Sequence, residues 1–199
     1  MTGGPGAGKT AVLEVLRHSL CQHVTILPEA AGIVFGGGFP RLNLPGTQRA
    51  AQRAIYHVQT ELEECMEAAG TAIVLCDRGG VDGYAYWPGP DDFWTAVGTT
   101  REHALRRYDV VVHLRVPAAD GGYNNQNPLR IESAIEARRI DDRILKVWEG
   151  HPHRYVIEPA GTFLRKTQEA LSVLYAELPQ CCRGNTSDAL IRATASQHA

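Results

Sequence analysis

Gly3-Gly4-Pro5-Gly6-Ala7-Gly8-Lys9-Thr10 carries the spacing G-x-x-x-x-G-K-[ST] at every required position. The glycines let backbone N–H groups turn inward as an anion nest. Lys9 offers an ammonium to the β- and γ-phosphates, and the Thr10 hydroxyl can ligate Mg²⁺. At average glycine and lysine usage, a chance match in a chain of this length has odds on the order of one per cent. The competing reading, a glycine turn that merely caps a helix, leaves Lys9 and Thr10 without a reason. Gly3 to Thr10 are therefore expected to cradle a nucleoside triphosphate with Mg²⁺.

Other residues could complete the chemistry. Asp77 closes the most apolar run of the chain, Thr71 to Cys76, where a carboxylate can hold Mg²⁺ beside Thr10. Arg78 follows it; it can reach a phosphate or the substrate, or simply pair with Asp77. Glu29 stands just past the run Val24 to Leu27, placed to take a proton from an attacking hydroxyl or to orient a ribose, or else to cap a helix in solvent. Asp82, Tyr84 and Tyr86 can line a substrate pocket by stacking, or be core. Arg130, Arg138 and Arg139 are candidates for a closing lid that neutralises transferred charge. Ordinary helix pairing of Arg138 and Arg139 with Asp142 is the bland alternative. Glu158-Pro159-Ala160-Gly161 could cradle a purine. Asp77 to Gly80 also fits the D-x-x-G spacing of GTPases, but no N-K-x-D motif follows, so base preference stays open.

These side chains need a scaffold of alternating strands and helices. Lys9 to Leu20 reads as the helix after the phosphate loop, with Val12, Leu13, Leu16 and Leu20 on one stripe. Gly32 to Gly46, with its glycine triplet and two prolines, reads as a mobile loop. Thr47 opens a long helix that Gly70 stops, and Asp92 to Tyr108 holds another. Val110 to Val116 is a second apolar strand. Ala118 to Asn127 is a polar, glycine-containing loop, and Asn127-Pro128 opens a helix running to about Trp148. Tyr155 to Ile157 is the last strand and Thr162 to Leu178 the last helix. The pattern predicts an α/β fold with a mostly parallel sheet covered on both faces: one domain over 1–178 and a flexible tail over 179–199.

Only Met1 and Thr2 precede the phosphate loop, too few for the strand that normally feeds it. The expectation is that this strand lies upstream of Met1. A chain that starts at Met1 would then leave unpaired backbone on two neighbouring strands, fold poorly and bind nucleotide weakly.

The 199 residues are 44% hydrophobic, enough for a real core. A net charge of -2 argues against a nucleic-acid or anionic-membrane surface, and no apolar run is long enough for a membrane span. The five cysteines are odd in number and lack metal-ligand spacing, as do the histidines. Cys65 and Cys76 read as core thiols, and Cys181 and Cys182 as part of a polar tail. A reduced, cytoplasmic protein is expected.

Taken together, Thr2 to Thr10, Pro28 to Ala31, Asp77-Arg78-Gly79 with Asp82 and Ala85-Tyr86, and Tyr108-Asp109 resemble the NadR-type AAA ATP-binding domain family. So do Arg130-Ile131-Glu132, Glu136-Ala137 and Asp141, with Trp148 and His151-Pro152 after them. That family includes nicotinamide-riboside kinase domains; the likeness spans Thr2 to about Tyr175. It implies a three-layer P-loop kinase-like fold with a small lid near Arg130 to Arg139. Lys9, Thr10 and Asp77 would lie in an ATP–Mg²⁺ site. The acceptor does not carry over, because Gly36 to Pro45 holds no motif assignable to nicotinamide riboside.

Two functions fit these residues. One is a small-molecule kinase moving the ATP γ-phosphoryl to a hydroxyl of a nucleoside-like acceptor, with Lys9, Glu29, Arg78, Arg130 and Arg138 as catalytic residues. The other is an ATP- or GTP-binding switch, or slow NTPase, that recruits a protein partner. A remnant unable to bind nucleotide is the least favoured reading.

Overall fold

The β-branched runs singled out above become strands, each four residues long: β1 Val24–Leu27, β2 Ile73–Cys76, β3 Val111–Leu114 and β4 Arg154–Ile157. The computed structural model describes residues 1–18, 20–90, 92–117, 133–159 and 162–182. Helices alternate with the strands. They are α1 Lys9–Arg17, α2 Ala30–Gly36, α3 Pro45–Ala68, α4 Phe93–Ala96, α5 Arg101–Arg106, α6 Ala134–Val147 and α7 Phe163–Glu177, with 3₁₀ turns at Gly80–Tyr86 and Gln180–Cys182.

β1 pairs in parallel with β2, and β3 with β4. Met1 and Thr2 lie between the two pairs and join them. The Met1 amino group donates to the Cys76 carbonyl at 2.7 Å, and Arg78 N–H donates to the Met1 carbonyl at 3.0 Å. On the other side Thr2 N–H donates to Val112 O at 2.8 Å and Leu114 N–H donates to Thr2 O at 2.9 Å, a parallel bridge opposite His113. The spatial order is therefore β1, β2, Met1–Thr2, β3, β4. This corrects the expectation of unpaired backbone on the two neighbouring strands: two residues bridge them in part, Met1 bonding to the end of β2 and Thr2 to β3.

β3 shows why the sheet needs cover on both faces. Val112 and Leu114 face a core built from Val12, Leu13 and Leu16 of α1, Ile157 of β4 and Ala170, Leu171 and Leu174 of α7. Val111 points the other way, to Val81, Ala85, Ala104, Ile144, Val147 and Trp148. Period-two alternation on a strand buried throughout demands this arrangement. Burying such side chains, at about 25 cal/mol per Å² of apolar surface, supplies the main drive for the fold.

Several boundaries differ from the sequence reading. Residues 32–36, expected at the start of a loop, belong to α2, since Ala30, Ala31 and Ile33 to Phe35 offer a short apolar face that buries Ala30 and Val34. α3 starts at Pro45 rather than Thr47, because proline suits the first helical turn. The 92–108 segment is two helices broken at Val97 to Thr100, with the Thr100 hydroxyl capping the second. The expected loop 118–127 and helix start at Asn127-Pro128 lie outside the described residues. The described part of α6 opens on a capping box between Ser133 and Glu136. Residues 180–182 form a turn with Cys182 buried, while 183–199 lie outside the described residues. Among the described residues no helix is long and apolar enough to cross a membrane.

Candidate functional site

The phosphate loop leaves the sheet at Thr2 and enters α1 at Lys9, so its shape is set by both. Gly3 has φ 132°, and a Cβ there would sit 2.1 Å from the Leu114 carbonyl oxygen; only glycine lets the loop pass β3 this closely. Gly4 presses against Val116 and Asp141, where a Cβ would come within 2.6 Å and 2.7 Å of side-chain atoms. Gly8, at φ 96°, is the left-handed N-cap of α1.

Asp141 of α6 fastens this loop from beneath. Its carboxylate is fully buried and accepts from Gly4 N–H at 2.7 Å, His113 Nε2 at 2.9 Å and Val116 N–H at 3.1 Å, with Arg115 Nη1 at 2.8 Å. Burial alone would raise its pKa. The bonds from His113, Val116 and Gly4 and the His113 charge outweigh that and hold it below the ordinary aspartate value. From the other side, the Lys166 ammonium donates to Ala7 O at 2.6 Å and to the Arg115 carbonyl. Sequence reasoning named Asp141 only within a resemblance and Lys166 not at all. A lone carboxylate or lysine on an amphipathic helix gives no signal of the loop it meets.

Lys9 is buried and folds back over the loop, donating to Gly3 O at 2.9 Å and Gly4 O at 3.2 Å. Desolvation first and the nearby Arg78 charge second lower its pKa to about 8. The Thr10 hydroxyl donates to Asp77 Oδ2 at 2.8 Å. Asp77 Oδ1 is buried with no hydrogen-bond partner among the described residues. An orphaned carboxylate oxygen beside a hydroxyl is a hard-oxygen pair of the kind Mg²⁺ takes, so the residues present fit that ion.

Arg78 sits at the centre of the site in a left-handed backbone conformation, φ 77°, the one non-glycine residue described with positive φ. Such a conformation costs of order 1 kcal/mol or more and persists where the surroundings enforce it. Here its guanidinium donates to Glu29 Oε1 at 2.7 Å, Gly3 O at 3.0 Å and Asp82 Oδ2 at 3.1 Å. The simple Asp77–Arg78 pair weighed from the sequence is thus replaced by Glu29 and Asp82. Asp82 is itself saturated, accepting also from Thr2 Oγ1 at 2.6 Å and Trp148 Nε1 at 2.7 Å. Burial pushes the Glu29 pKa up, but Arg78 and Lys9 pull harder, and the net shift is downward.

Lys9, Thr10, Glu29, Arg78, Asp82 and Lys166 border one cavity of about 1240 Å³. It runs from Pro5–Ala11 past Glu29 and Arg78 to Phe35, Gln48, Gln52 and Tyr86, and Pro159 and Phe163 also line it. Of the expected catalytic residues, Lys9, Glu29 and Arg78 meet there; Asp77 lies behind Thr10 rather than on the wall. Tyr86 lines the cavity, whereas Tyr84 stacks on Trp94 at 5.9 Å. Arg138 and Arg139 are exposed on α6 and do not line it, whereas Glu136 of the same helix does. Asp142 pairs with Arg115 at 2.6 Å rather than with either arginine. Arg130, Ala160 and Gly161 lie outside the described residues.

The AAA domain family matches the chain over residues 1–166, a span that holds every residue of this site named above. No curated protein matches the chain.

Proposed function

The chain belongs to the AAA domain family and is a nucleotide-binding P-loop protein; from that premise we propose that it is a small-molecule kinase moving the γ-phosphoryl of ATP to a hydroxyl on a nucleoside-like acceptor. The observation that carries this reading is the size and shape of the cavity beside the phosphate loop. Its volume of about 1240 Å³ exceeds the ~300–1,000 Å³ typical for one small ligand, and it continues past the phosphate loop to a wall with aromatic and amide side chains. A site that only hydrolyses or senses a nucleotide has no need of that second half.

In this reading Gly3 to Gly8 and Lys9 hold the β- and γ-phosphates, and Thr10 and Asp77 hold the ion. Mg²⁺ bound there would neutralise charge on the β- and γ-oxygens. To receive phosphate, the Lys9 ammonium exchanges its bonds to Gly3 O and Gly4 O for phosphate oxygens. Glu29 receives the proton of the acceptor hydroxyl as the acceptor oxygen bonds to the γ-phosphorus, and the bond to the β-γ bridging oxygen breaks to release ADP. A carboxylate kept ionised by Arg78 is ready to accept that proton. Arg78 faces the transferred group and offsets its charge. A three-layer, kinase-like arrangement with a lid near Arg130 to Arg138 belongs to the same proposal, as does a cytoplasmic location.

The test is a panel of nucleosides and other small alcohols incubated with labelled ATP, Mg²⁺ and the full chain. Acceptor-stimulated ADP release and a phosphorylated product support the proposal. Turnover indifferent to every acceptor refutes it. That second result would favour a slow NTPase that recruits a protein, a reading consistent with exposed Ile33, Leu42 and Leu44, of which Leu42 lines the cavity.

A further inference from the structure

Away from the nucleotide cavity, two cysteines and a histidine converge. Cys21 Sγ lies 3.4 Å from His23 Nδ1, and Cys182 Sγ lies 3.9 Å from the same nitrogen. The three donor atoms all fall within 4.8 Å of one another, and every thiol is free. A tetrahedral zinc ion, with bonds of about 2.3 Å to sulfur and about 2.0 Å to nitrogen, sets ligand-to-ligand edges of roughly 3.5 Å for S–N and roughly 3.8 Å for S–S. The two sulfur–nitrogen separations observed lie within a few tenths of an ångström of that edge. A chain of pairwise thiol contacts would not require all three atoms to face one point.

The scaffold holds these donors in place before any ion arrives. Cys182 is 1% exposed within the main core, and Cys21 packs against that core. Val24 N–H donates to the Cys21 carbonyl at 3.2 Å, and Ile73 N–H donates to the His23 carbonyl at 3.1 Å, tying both residues to the start of the β1–β2 ladder. Cys182 N–H donates to Pro179 O at 2.8 Å and fixes the C-terminal turn. His23 is exposed and gives an ion a way in.

We propose that Cys21, His23 and Cys182 bind a zinc ion that clamps the turn Gln180–Cys182 to the head of β1. Two thiolates and a neutral imidazole around Zn²⁺ give a complex of zero net charge, which suits the low-polarity surroundings of Cys182. Binding releases the two thiol protons to solvent. The fourth corner is left for water or for the Cys181 thiolate, whose sulfur lies 3.6 Å from that of Cys182. Spacing along the chain hides this site, since His23 and Cys182 are 159 positions apart. It is independent of the kinase reading.

The full chain, purified without chelator and freed of any affinity tag, should contain one zinc per molecule. Cobalt titrated into the metal-free, reduced chain should give thiolate-to-metal charge-transfer bands, and zinc should raise the melting temperature. Cys182→Ser and His23→Ala should each weaken zinc binding by at least about 100-fold, the upper range for losing even an outer partner of a ligand. Cys65→Ser, an exposed thiol on α3, should change nothing. Because Cys182 is buried, its variant can misfold; His23 is exposed, and His23→Ala carries the test alone. Substoichiometric zinc with no charge-transfer bands overturns the proposal. So does wild-type zinc affinity in His23→Ala, or a Cys21–Cys182 disulfide in protein isolated under native conditions. ATP affinity equal in wild type and His23→Ala separates this site from the nucleotide cavity.

Discussion

Asp141→Asn isolates the buried clamp beneath the phosphate loop. The change is isosteric, so packing is kept while the hydrogen-bond count falls. Oδ1 serves Gly4 N–H and His113 Nε2, and Oδ2 serves Val116 N–H and faces Arg115. An amide retains one oxygen, and its NH₂ must then confront one pair of donors whichever way it turns. Two buried donors lose their acceptor at about 1–3 kcal/mol each, and the partly exposed Arg115 loses a charge partner worth less. The sum is roughly 3–4 kcal/mol. For a chain of this size a change of 1 kcal/mol moves the melting temperature by about 2–4 °C, so the fall should be about 6–16 °C. Freeing the Gly4 peptide also loosens the anion nest, and a loss of about 1.4 kcal/mol there weakens ATP binding about tenfold. Thermal melts with and without ATP–Mg²⁺, beside calorimetric titration of nucleotide, read both effects. Asp142→Asn is the control: its carboxylate is exposed and pairs with Arg115 at the surface, so its cost should stay near 0–1 kcal/mol. An Asp141→Asn protein that melts with the wild type and binds ATP equally well would refute the clamp.

Gly3→Ala should do comparable harm for a different reason. Its Cβ would collide with the Leu114 carbonyl at 2.1 Å in a backbone conformation alanine avoids, and the loop must shift off β3. Nucleotide binding should be lost while a refolded chain still shows helical circular dichroism; ATP affinity near that of wild type would disprove the close approach. Lys166 gives a pH signature. Burial, partly opposed by Asp141 and Glu158, lowers its pKa from 10.5 to about 8. Between those values the unfolded chain binds more protons than the folded one, so this lysine's contribution to stability rises with pH from about 8 to about 10.5. Below pH 8 it is charged in both states, and its desolvation cost is felt in full. Urea melts of wild type and Lys166→Met should therefore diverge in slope over that window, with the wild type gaining relative stability as pH rises; parallel pH profiles would count against the assignment.

What could be read from the sequence follows from the range of the physics involved. The phosphate loop and α1 are local: glycines that allow left-handed turns, then an apolar stripe at helical spacing. β2 and β3 are equally local, as short runs that open on two β-branched residues. Asp77 could be singled out because it ends such a run, and the structure sets it beside Thr10. Periodicity gives the α6 helix without saying which residues meet the sheet; Ala137, Asp141, Ile144 and Val147 take the buried positions. α2 was missed because glycines at 32 and 36 outweigh a short apolar run that only tertiary burial of Ala30 and Val34 rescues. Asp141, Lys166 and the Cys21–His23–Cys182 cluster each depend on contacts more than a hundred positions apart for at least one partner. No local pattern encodes those meetings.

The charges of the cavity show why its parts act together. Lys9 and Arg78 are two buried cations close enough that Arg78 depresses Lys9, and both lean on backbone oxygen of Gly3. Like charges this near repel, and the site tolerates them because Glu29, Asp77 and Asp82 stand around them. Those acids are already committed: Asp82 is saturated, Glu29 is paired, and Asp77 shares one oxygen with Thr10. A triphosphate brings more negative charge than the two cations can match, which leaves a surplus beside the bare Asp77 oxygen. A divalent cation at that oxygen and Thr10 balances the surplus, so triphosphate and ion should bind with positive coupling. Nucleotide affinity should then fall when magnesium is chelated, and Asp77→Asn should erase the difference between the two conditions.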